Sequence, residues 1–474
     1  MSTRLSGFAG MHRVARAASV AVVLTASLAA CSWGDDSGPA AAVVPPFAGA
    51  VVADEPQAAL IGKRILTAGG SAADAAAAMG FALAVTLPSR ASLGGGGACL
   101  AYDSSPKSAL AGVPEAILFY PAAPANPGSA DRPAAVPMMA RGLYLLQARY
   151  GVLRPAQVIQ PAEQAARNGA TVSHALAQDL AAVAGPLSGD PEVRAVFFTG
   201  DRPLAEGARL VQPALADTLA TIRQAGIGDF VQGELARKFA ADMPRAGGGV
   251  SLADFGKTAP VLDRAWLIPQ ASNEFLALLP AYERGSAPTL AAGMSLSDNP
   301  KDIEAARQRA LAVAAATRQG EPGNANLLSG SVPPGTLGAL PASTTFAAID
   351  GAGRAVVCGT SLDNLFGTGR MAQSTGILLA ASPARAASPL LSLEILFNRA
   401  EKTFHALATG SGQEGAPMAA AYGLYFGLLG QIPAQPPEPG RANVIACPDS
   451  VPGGGKNCVW SADPRGSGLA VGAN

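Results

Sequence analysis

The feature that most constrains the fold is a helical segment that is apolar on every side. From Ala72 to about Thr86 nearly every residue is alanine or another apolar residue. Ser71 precedes this segment and Asp74 follows three residues later, which is the pattern of a capped helix start. Because a helix without a polar face has to be covered by other elements, we expect it to lie in the core of a mixed α/β protein, against a sheet.

Residues 1–30 have the pattern of an export signal. Arg4, Arg13 and Arg16 precede an apolar run, Ala17 to Ala30, that is too short to span a bilayer as a helix. The run ends in the order Leu-Ala-Ala-Cys at Cys31, which is typical of a bacterial lipoprotein signal. We therefore expect lipid attachment at Cys31 and a membrane-anchored protein that faces the periplasm or the cell exterior.

The segment 31–48 is rich in Gly, Pro and Ala and is predicted to be a flexible linker. The alternative for the N-terminus is an ordinary secretory signal with an incidental cysteine. Both interpretations place the mature protein outside the cytoplasm.

The charge balance excludes partners that are bound through bulk charge. The chain has 34 Lys and Arg against 34 Asp and Glu, and no basic cluster appears. We therefore expect no nucleic-acid surface. Past residue 48 no apolar run is long enough and free enough of charge for a membrane-spanning helix, so we expect the remainder to be soluble.

Four cysteines lie beyond the predicted signal. Cys99 and Cys358 are in apolar, strand-like runs, whereas Cys447 and Cys458 flank a loop rich in Gly and Pro. In an oxidising compartment we expect Cys447 and Cys458 to form a disulfide, and the alternative is two free thiols.

A run of glycines, Gly94 to Gly97, leads into a strand-like segment, Ala98 to Tyr102. A phosphate-binding loop would need Lys-Ser/Thr after the glycines and a helix in place of the strand. We expect instead that the glycines let the backbone pass close to another segment or a ligand.

The residue composition and the predicted secondary structure change towards the last third of the chain. Helical patterns dominate from Ala134 to Asp254, and Gly, Pro, Ser and Asn then become frequent between Gln319 and Ala342, which predicts a long exposed loop. This loop runs directly into a hairpin whose strands are Thr345 to Asp350 and Ala355 to Thr360. Such an arrangement is expected if the first strand begins at a new chain terminus.

The sequence has too few histidines for a histidine-based triad or a histidine-rich metal site. The chain contains only His12, which lies in the predicted signal, His174 and His405. We expect structural roles for His174 at a helix start and for His405 in a strand. A Ser or Thr at a chain N-terminus made by self-cleavage needs no histidine, because its own α-amino group serves as the general base.

Several motifs together resemble the gamma-glutamyltransferase family. They follow the family's order from about residue 48 to 474 and include Gly69-Gly70-Ser71-Ala72-Ala73-Asp74-Ala75, Leu93-Gly94-Gly95-Gly96-Gly97, Ser343-Thr344-Thr345-Phe346, Phe366-Gly367-Thr368-Gly369 and Asp463-Pro464-Arg465. The resemblance implies the α/β fold of the N-terminal nucleophile hydrolases, a four-layer αββα sandwich. It also implies a large-subunit region, 49–342, and a small-subunit region, 343–474, that form one globular unit.

The resemblance assigns catalytic roles by position. The nucleophile falls on Ser343, so the cleaved bond would be Ala342-Ser343, with Thr344 as the alternative because the family normally has Thr. Ser361 replaces the Thr that supports the nucleophile and its amino group. The oxyanion donors fall on the segment that contains Gly412 and Gln413.

The substrate-binding positions depart from the family. Tyr120 stands in place of the Arg that holds the substrate's α-carboxylate, and Arg385 in place of an acidic residue. Arg385 either meets a carboxylate or faces solvent. Asp363 replaces an Asn that contacts the α-amino group, and of two adjacent serines one is Leu391 while Ser392 remains. These changes predict that glutathione is a poor substrate and that a less polar acyl group is preferred.

The resemblance implies a gamma-glutamyltransferase-like amide hydrolase or acyltransferase that acts through an acyl-enzyme on a gamma-glutamyl or another N-acyl substrate. We expect no metal and no organic cofactor. The expected partners are a small-molecule amide or peptide and, through the lipid, a membrane. The alternative is a catalytically impaired envelope binding or scaffold lipoprotein.

Overall fold

The computed structural model describes residues 47–105, 112–126, 132–319 and 342–473. The predicted signal 1–30, Cys31 and all of the predicted linker except Phe47 and Ala48 lie outside the described residues. So does nearly all of the predicted loop before Ala342.

The described strands are, in chain order, β1 (Gly49–Ala53), β2 (Gly96–Tyr102), β3 (Glu115–Phe119), β4 (Ala170–Thr171), β5 (Phe198–Thr199), β6 (Arg202–Pro203), β7 (Arg209–Leu210), β8 (Val261–Arg264), β9 (Trp266–Pro269), β10 (Glu274–Leu278), β11 (Ser343–Asp350), β12 (Ala355–Ser361), β13 (Met371–Ala372), β14 (Ile377–Leu378), β15 (Ser392–Asn398), β16 (Thr403–Ser411), β17 (Arg441–Val451), β18 (Val459–Ala462) and β19 (Leu469–Ala473).

The described α-helices are α1 (Pro56–Thr67), α2 (Ala72–Thr86), α3 (Met139–Tyr150), α4 (Pro155–Asn168), α5 (His174–Ala182), α6 (Ala184–Leu187), α7 (Pro191–Phe197), α8 (Pro213–Ala225), α9 (Asp229–Gln232), α10 (Glu234–Ala246), α11 (Leu252–Lys257), α12 (Ser286–Asp298), α13 (Ile303–Thr317) and α14 (Ala416–Leu428). Short 3-10 helices are formed by Gln413–Gly415, Gly455–Asn457 and Pro464–Gly466.

Two antiparallel sheets form the centre of the molecule. The first has seven strands in the order β19-β1-β11-β12-β2-β3-β8, and the second has six in the order β18-β17-β16-β15-β10-β9. Each sheet takes strands from both sides of residue 342, so the regions 49–342 and 343–474 are interleaved within one unit.

The side chains of the central strands alternate between two cores. On β11, Ala347 and Ile349 belong to the apolar core between the sheets, whereas Phe346 and Ala348 face the core beneath α1 to α4. On the outer side of the second sheet, Ala406 and other residues of its strands pack against α14. The layers are therefore helix, sheet, sheet and helix, which confirms the predicted αββα class.

The apolar helix α2 is buried along its whole length, as its composition predicts. The Ser71 hydroxyl accepts a hydrogen bond from the Asp74 N–H, and the Asp74 carboxylate accepts one from the Ser71 N–H. The capping box that the sequence predicts is present.

The glycine run serves close packing between strands. A Cβ on Gly97 would lie 2.0 Å from the Gly359 carbonyl oxygen of β12, and one on Gly96 would lie 2.2 Å from the Phe119 carbonyl oxygen of β3. Only glycine lets β2 fit between these two neighbours at this distance.

The described residues contain two disulfides. Cys447 and Cys458 are joined in the second sheet, and Cys99 of β2 is joined to Cys358 of β12 in the first. The Cys99–Cys358 pair was not expected from the sequence. Among the described helices, none has both the length and the apolar character needed to cross a bilayer.

Candidate active site

Ser343 is the first residue of β11, in the middle of the seven-stranded sheet. It pairs with Ser361 on β12 and, by the alternation along β11, lies on the face that looks towards the second sheet. Its exposed fraction is 6 %, and it lines a small pocket. The start of the strand thus places a hydroxyl between the two sheets with access from outside.

The Ser361 hydroxyl contacts the peptide unit that precedes Ser343. Its Oγ donates a hydrogen bond of 2.9 Å to the carbonyl oxygen of Ala342, and it accepts one of 2.9 Å from the N–H of Asp363. Because the second bond occupies a lone pair of Oγ, it orients the hydroxyl proton towards Ala342. The carbonyl of the predicted scissile bond is therefore polarised by a fixed donor.

Thr344 points away from this pocket. Its side chain is fully buried and donates to Asp54 Oδ2 over 3.1 Å, and the same oxygen accepts a 2.9 Å bond from the Thr345 N–H. Since a strand alternates its faces, Thr344 and Ser343 cannot both reach the pocket. The geometry favours Ser343 over Thr344 as the nucleophile.

A buried polar network anchors the start of β11 to the second sheet. The Asn443 Nδ2 donates to Asp54 Oδ1 over 2.7 Å and to Thr345 Oγ1 over 2.9 Å, and Thr409 Oγ1 donates to Thr345 Oγ1 over 2.8 Å. These bonds fix the backbone immediately behind Ser343. Sequence reasoning missed Asp54, Thr409 and Asn443, because each lies far from Ser343 along the chain.

The pocket at Ser343 is almost filled by the chain itself. It encloses about 30 Å³, and Ala342 forms part of its wall together with Ser361, Asp363, Leu390, Gln413 and Arg318. A space of this size admits water but is far smaller than the pockets that bind organic substrates. The space beside Ser343 in the uncut chain is therefore too small for an acyl group of several carbon atoms.

A larger pocket adjoins the first. It encloses about 350 Å³ and shares Asp363, Ser388 and Pro389 with the small pocket. Tyr120 and Glu283 lie in its wall. A volume of this size suits a small organic substrate.

Tyr120 is a neutral hydrogen-bonding group in this second pocket. Burial raises the pKa of its hydroxyl well above the ordinary value, and the neighbouring Glu283 carboxylate, which shares a hydrogen bond with it, raises that pKa further. Burial also raises the pKa of Glu283. Tyr120 therefore offers no positive charge for a substrate carboxylate.

Arg318 supplies a cation that sequence reasoning did not place at the site. It follows α13, its Nη1 donates to the Ser388 carbonyl oxygen over 2.7 Å, and its Nε lies 2.9 Å from Glu414 Oε1. Its side chain is 17 % exposed. The guanidinium thus joins two loops of the pocket that contains Ser343. Nothing in the local sequence around Arg318 distinguishes it from a residue at an ordinary helix end.

The predicted oxyanion segment lies beside Ser343. Gln413 and Glu414 line the small pocket, and Gly412 precedes them at the end of β16. Gly412 has φ 107°, and a Cβ there would lie 2.3 Å from the Pro439 carbonyl oxygen. This position therefore requires glycine, while Gln413 adopts the left-handed conformation with φ 55°.

The structure does not bring Arg385, Ser392 or Leu391 to the site. Arg385 is exposed in a turn, where its backbone N–H donates to the Ser382 carbonyl oxygen, and it lines neither pocket. This position agrees with the solvent-facing alternative. Ser392 is buried and donates to the Leu390 carbonyl oxygen. Leu391 packs in the core between the sheets rather than against a substrate.

The two described histidines have local partners. His174 starts α5 and pairs with Glu206, and His405 in β16 contacts Glu274 and Ser450. Within the described ranges, no cluster of three or more His, Cys, Asp or Glu is arranged to hold a metal ion.

The layered fold is that of the N-terminal nucleophile hydrolases. The cephalosporin acylase of Bacillus halodurans has this fold, with a TM-score of 0.71 over 93% of this chain and 99% of that one at 18% identity. Residues 58–267 match the Gamma-glutamyltranspeptidase family. The match covers 210 of the 474 residues of this chain, which is less than half of it.

Two curated proteins are similar to part of this chain. The glutathione hydrolase proenzyme of Escherichia coli K12 is 34% identical over 224 residues, which cover 44% of this chain and 38% of that protein. The acylase ACY 1 proenzyme of Pseudomonas sp. SE83 is 33% identical over 223 residues, covering 44% of this chain and 40% of that protein. The match thus spans about two fifths of each relative, and these names give no support to the scaffold alternative.

Proposed function

We propose that this chain is a self-processing amide hydrolase or acyltransferase that acts through an acyl-enzyme on Ser343. The observation that carries the proposal is the hydrogen bond from Ser361 to the Ala342 carbonyl oxygen, beside the Ser343 hydroxyl in a pocket between two sheets. The names of the curated relatives, which are proenzymes of hydrolases and acylases, agree with it.

In the processing step, the Ser343 Oγ attacks the carbonyl carbon of Ala342. The Ser361 hydroxyl donates to the oxygen on which negative charge develops. The C–N bond then breaks, the α-amino group of Ser343 takes up the proton, and an ester joins Ala342 to Ser343 Oγ. Water hydrolyses this ester, which leaves a carboxylate on Ala342 and a free N-terminal Ser343.

The same atoms serve in turnover. The free α-amino group has an ordinary pKa of about 7.7 to 8.0, so it accepts the hydroxyl proton near neutral pH. Ala342 forms part of the wall of the Ser343 pocket in the uncut chain, so its departure opens that wall. An amide substrate then acylates Ser343, and water or an amine releases the acyl group. The chain itself supplies the base, the nucleophile and the oxyanion donors.

For the acyl group, we propose one that carries a carboxylate, such as glutaryl or γ-glutamyl. Arg318 places its guanidinium, paired with Glu414, in the wall of the Ser343 pocket, so a positive charge lies at the site although Tyr120 stands in place of the family's Arg. Asp363 lies in the same wall and suits an ammonium group. The preference for a less polar acyl group, which we expected from Tyr120 and Leu391, is therefore not retained.

The test compares the hydrolysis of glutaryl, γ-glutamyl and hexanoyl anilides by the purified protein. We expect the two carboxylate-bearing anilides to be preferred. Arg318→Ala should lower kcat/KM for both by about 10- to 100-fold, the loss expected for a charge-assisted contact of roughly 1.5 to 3 kcal/mol. Hydrolysis of the hexanoyl anilide should change little.

Arg385→Ala is the matched control, because that arginine is exposed and outside the pocket, and it should leave all three rates unchanged. Ser343→Ala should abolish every activity. An equal loss on all three anilides in Arg318→Ala would show that Arg318 only holds the loop of Glu414. Hydrolysis that survives in Ser343→Ala would contradict the proposed function.

We also propose that the protein is exported and anchored through a lipid on Cys31. The two disulfides support this location, because disulfides persist mainly outside the reducing cytosol. Cys31→Ser should move the protein from the membrane fraction to the soluble fraction. Unchanged membrane association would contradict the anchor.

A further inference from the structure

The disulfide between Cys99 and Cys358 crosses the middle of the first sheet. The two residues face each other on the neighbouring strands β2 and β12, with their Cα atoms 4.1 Å apart. Both have no exposed surface and lie in the core beneath the helices. The bond joins positions that are 259 residues apart in the sequence.

The two cysteines lie on opposite sides of the proposed cleavage point. Cys99 belongs to the region 49–342 and Cys358 to the region 343–474. We propose that the mature protein is a single covalent molecule of two chains, joined by the Cys99–Cys358 disulfide. This inference rests on the proposed self-cleavage, and it adds a covalent link that the cleavage chemistry does not require.

Disulfide formation and cleavage of the chain are independent reactions. Forming the disulfide removes two electrons and two protons from two thiols, and the acceptor is a disulfide of the exchange machinery in an oxidising compartment. Cleavage breaks the C–N bond between Ala342 and Ser343 and adds one water. The S–S bond takes no part in it.

The position of the link gives it a role at the site. Cys358 is on the strand that ends at Ser361, and Cys358 also pairs with Phe346 on β11, the strand that begins with Ser343. After cleavage, Ser343 is no longer joined to Ala342. The disulfide still ties β12 to β2, where Ser361 pairs with Gly96. Ser361 and Ser343 thus stay in register with a strand of the other chain.

The experiment is a denaturing gel of the mature protein with and without reductant. N-ethylmaleimide is added at lysis to stop thiol exchange, and reductant is added only after denaturation, because the bond is buried. We expect one species of full mass without reductant and two chains with it. Two separate chains without reductant would overturn the inference.

Variants locate the link. The double variant Cys99→Ser/Cys358→Ser should give two chains without reductant. The matched control, Cys447→Ser/Cys458→Ser, removes a disulfide that lies wholly within the second region and should behave like the wild type. If the first variant fails to fold, mass spectrometry of an unreduced digest of the wild type decides instead. It should contain the Cys99 peptide joined to the Cys358 peptide, and their recovery as alkylated free thiols would overturn the link.

The reducing gel also distinguishes a missing Cys99–Cys358 disulfide from a failure of self-cleavage. A protein that runs as one chain with reductant has not cleaved, which contradicts the proposed processing. In that case a site for a specific protease, inserted within residues 320–341, supplies the cut. The cut protein should remain one species without reductant and separate with it. If the two pieces of the cut protein separate without reductant, the proposed disulfide is overturned in this experiment too.

Discussion

At the scale of single residues, Ser361 holds the carbonyl of the bond that is proposed to break. A hydroxyl that donates to a developing oxyanion typically contributes about 100- to 1000-fold in rate. We therefore predict that Ser361→Ala slows self-cleavage by about that factor, while Ser361→Thr, which keeps the hydroxyl, cleaves at nearly the wild-type rate. The time course of the two chains on a reducing gel measures both.

Ser392→Ala is the control for this series, because that buried hydroxyl donates to the Leu390 carbonyl oxygen and does not itself line the pocket. It should process normally. Normal processing in Ser361→Ala would show that the 2.9 Å contact has no catalytic role.

Glu394 makes the stability of the folded state depend on pH. Burial raises the pKa of this carboxyl to about 8, and its Oε2 has no hydrogen-bond partner among the described residues. The folded state therefore favours the protonated form. The stability is greatest below the unfolded pKa of 4.5 and falls as pH rises from there to about 8, on the order of 1.4 kcal/mol per pH unit at most.

Glu394→Gln keeps the shape of the side chain and cannot ionise. We predict that the variant is more stable than the wild type at pH 8.5 and that the difference shrinks at pH 5.5. Thermal unfolding at both pH values measures this. A variant that loses as much stability as the wild type between pH 5.5 and 8.5 would assign the effect to other groups.

At the scale of elements, the motif around Asp74 has a structural role. Its Oδ2 accepts bonds from the Ser71 N–H, the Val152 N–H and the Leu153 N–H, and its Oδ1 accepts one from Gln147 Nε2. One carboxylate thus fixes the start of α2 and the end of α3. The likeness to the family at this motif therefore reflects the fold rather than the catalytic site.

Asp74→Ala should lower the free energy of unfolding by roughly 2 to 4 kcal/mol, because it leaves several buried donors without an acceptor. The activity per folded molecule should not change. Urea unfolding and active-site titration check the two parts. Asp217→Ala, which alters an exposed carboxylate, is the control. A large loss of activity in the folded Asp74 variant would give this residue a catalytic role.

Local patterns explain which elements the sequence predicts. The bounds of α2 and the hairpin of β11 and β12 follow from caps, glycines and periodicity within a few residues. Arg318 and the Cys99–Cys358 pair could not be predicted in this way. Their contacts depend on the order β12-β2 in the sheet and on where α13 ends relative to β11, which distant parts of the chain decide.

At the scale of the whole molecule, the two regions cannot fold as separate domains. In the first sheet β11 and β12 of the second region lie between β1 and β2 of the first. A cut before Ser343 therefore leaves both chains in one sheet and frees only the start of β11. The proposed cleavage would therefore make an N-terminal nucleophile without separating the two regions.

The most direct test of this account is the intact mass of the mature protein after reduction. The account predicts two chains, the smaller of which begins at Ser343 and gains the mass of one acyl group, on its first residue, after brief exposure to a glutaryl or γ-glutamyl anilide. A single uncut chain, or a small chain that begins at Thr344 or elsewhere, would contradict it.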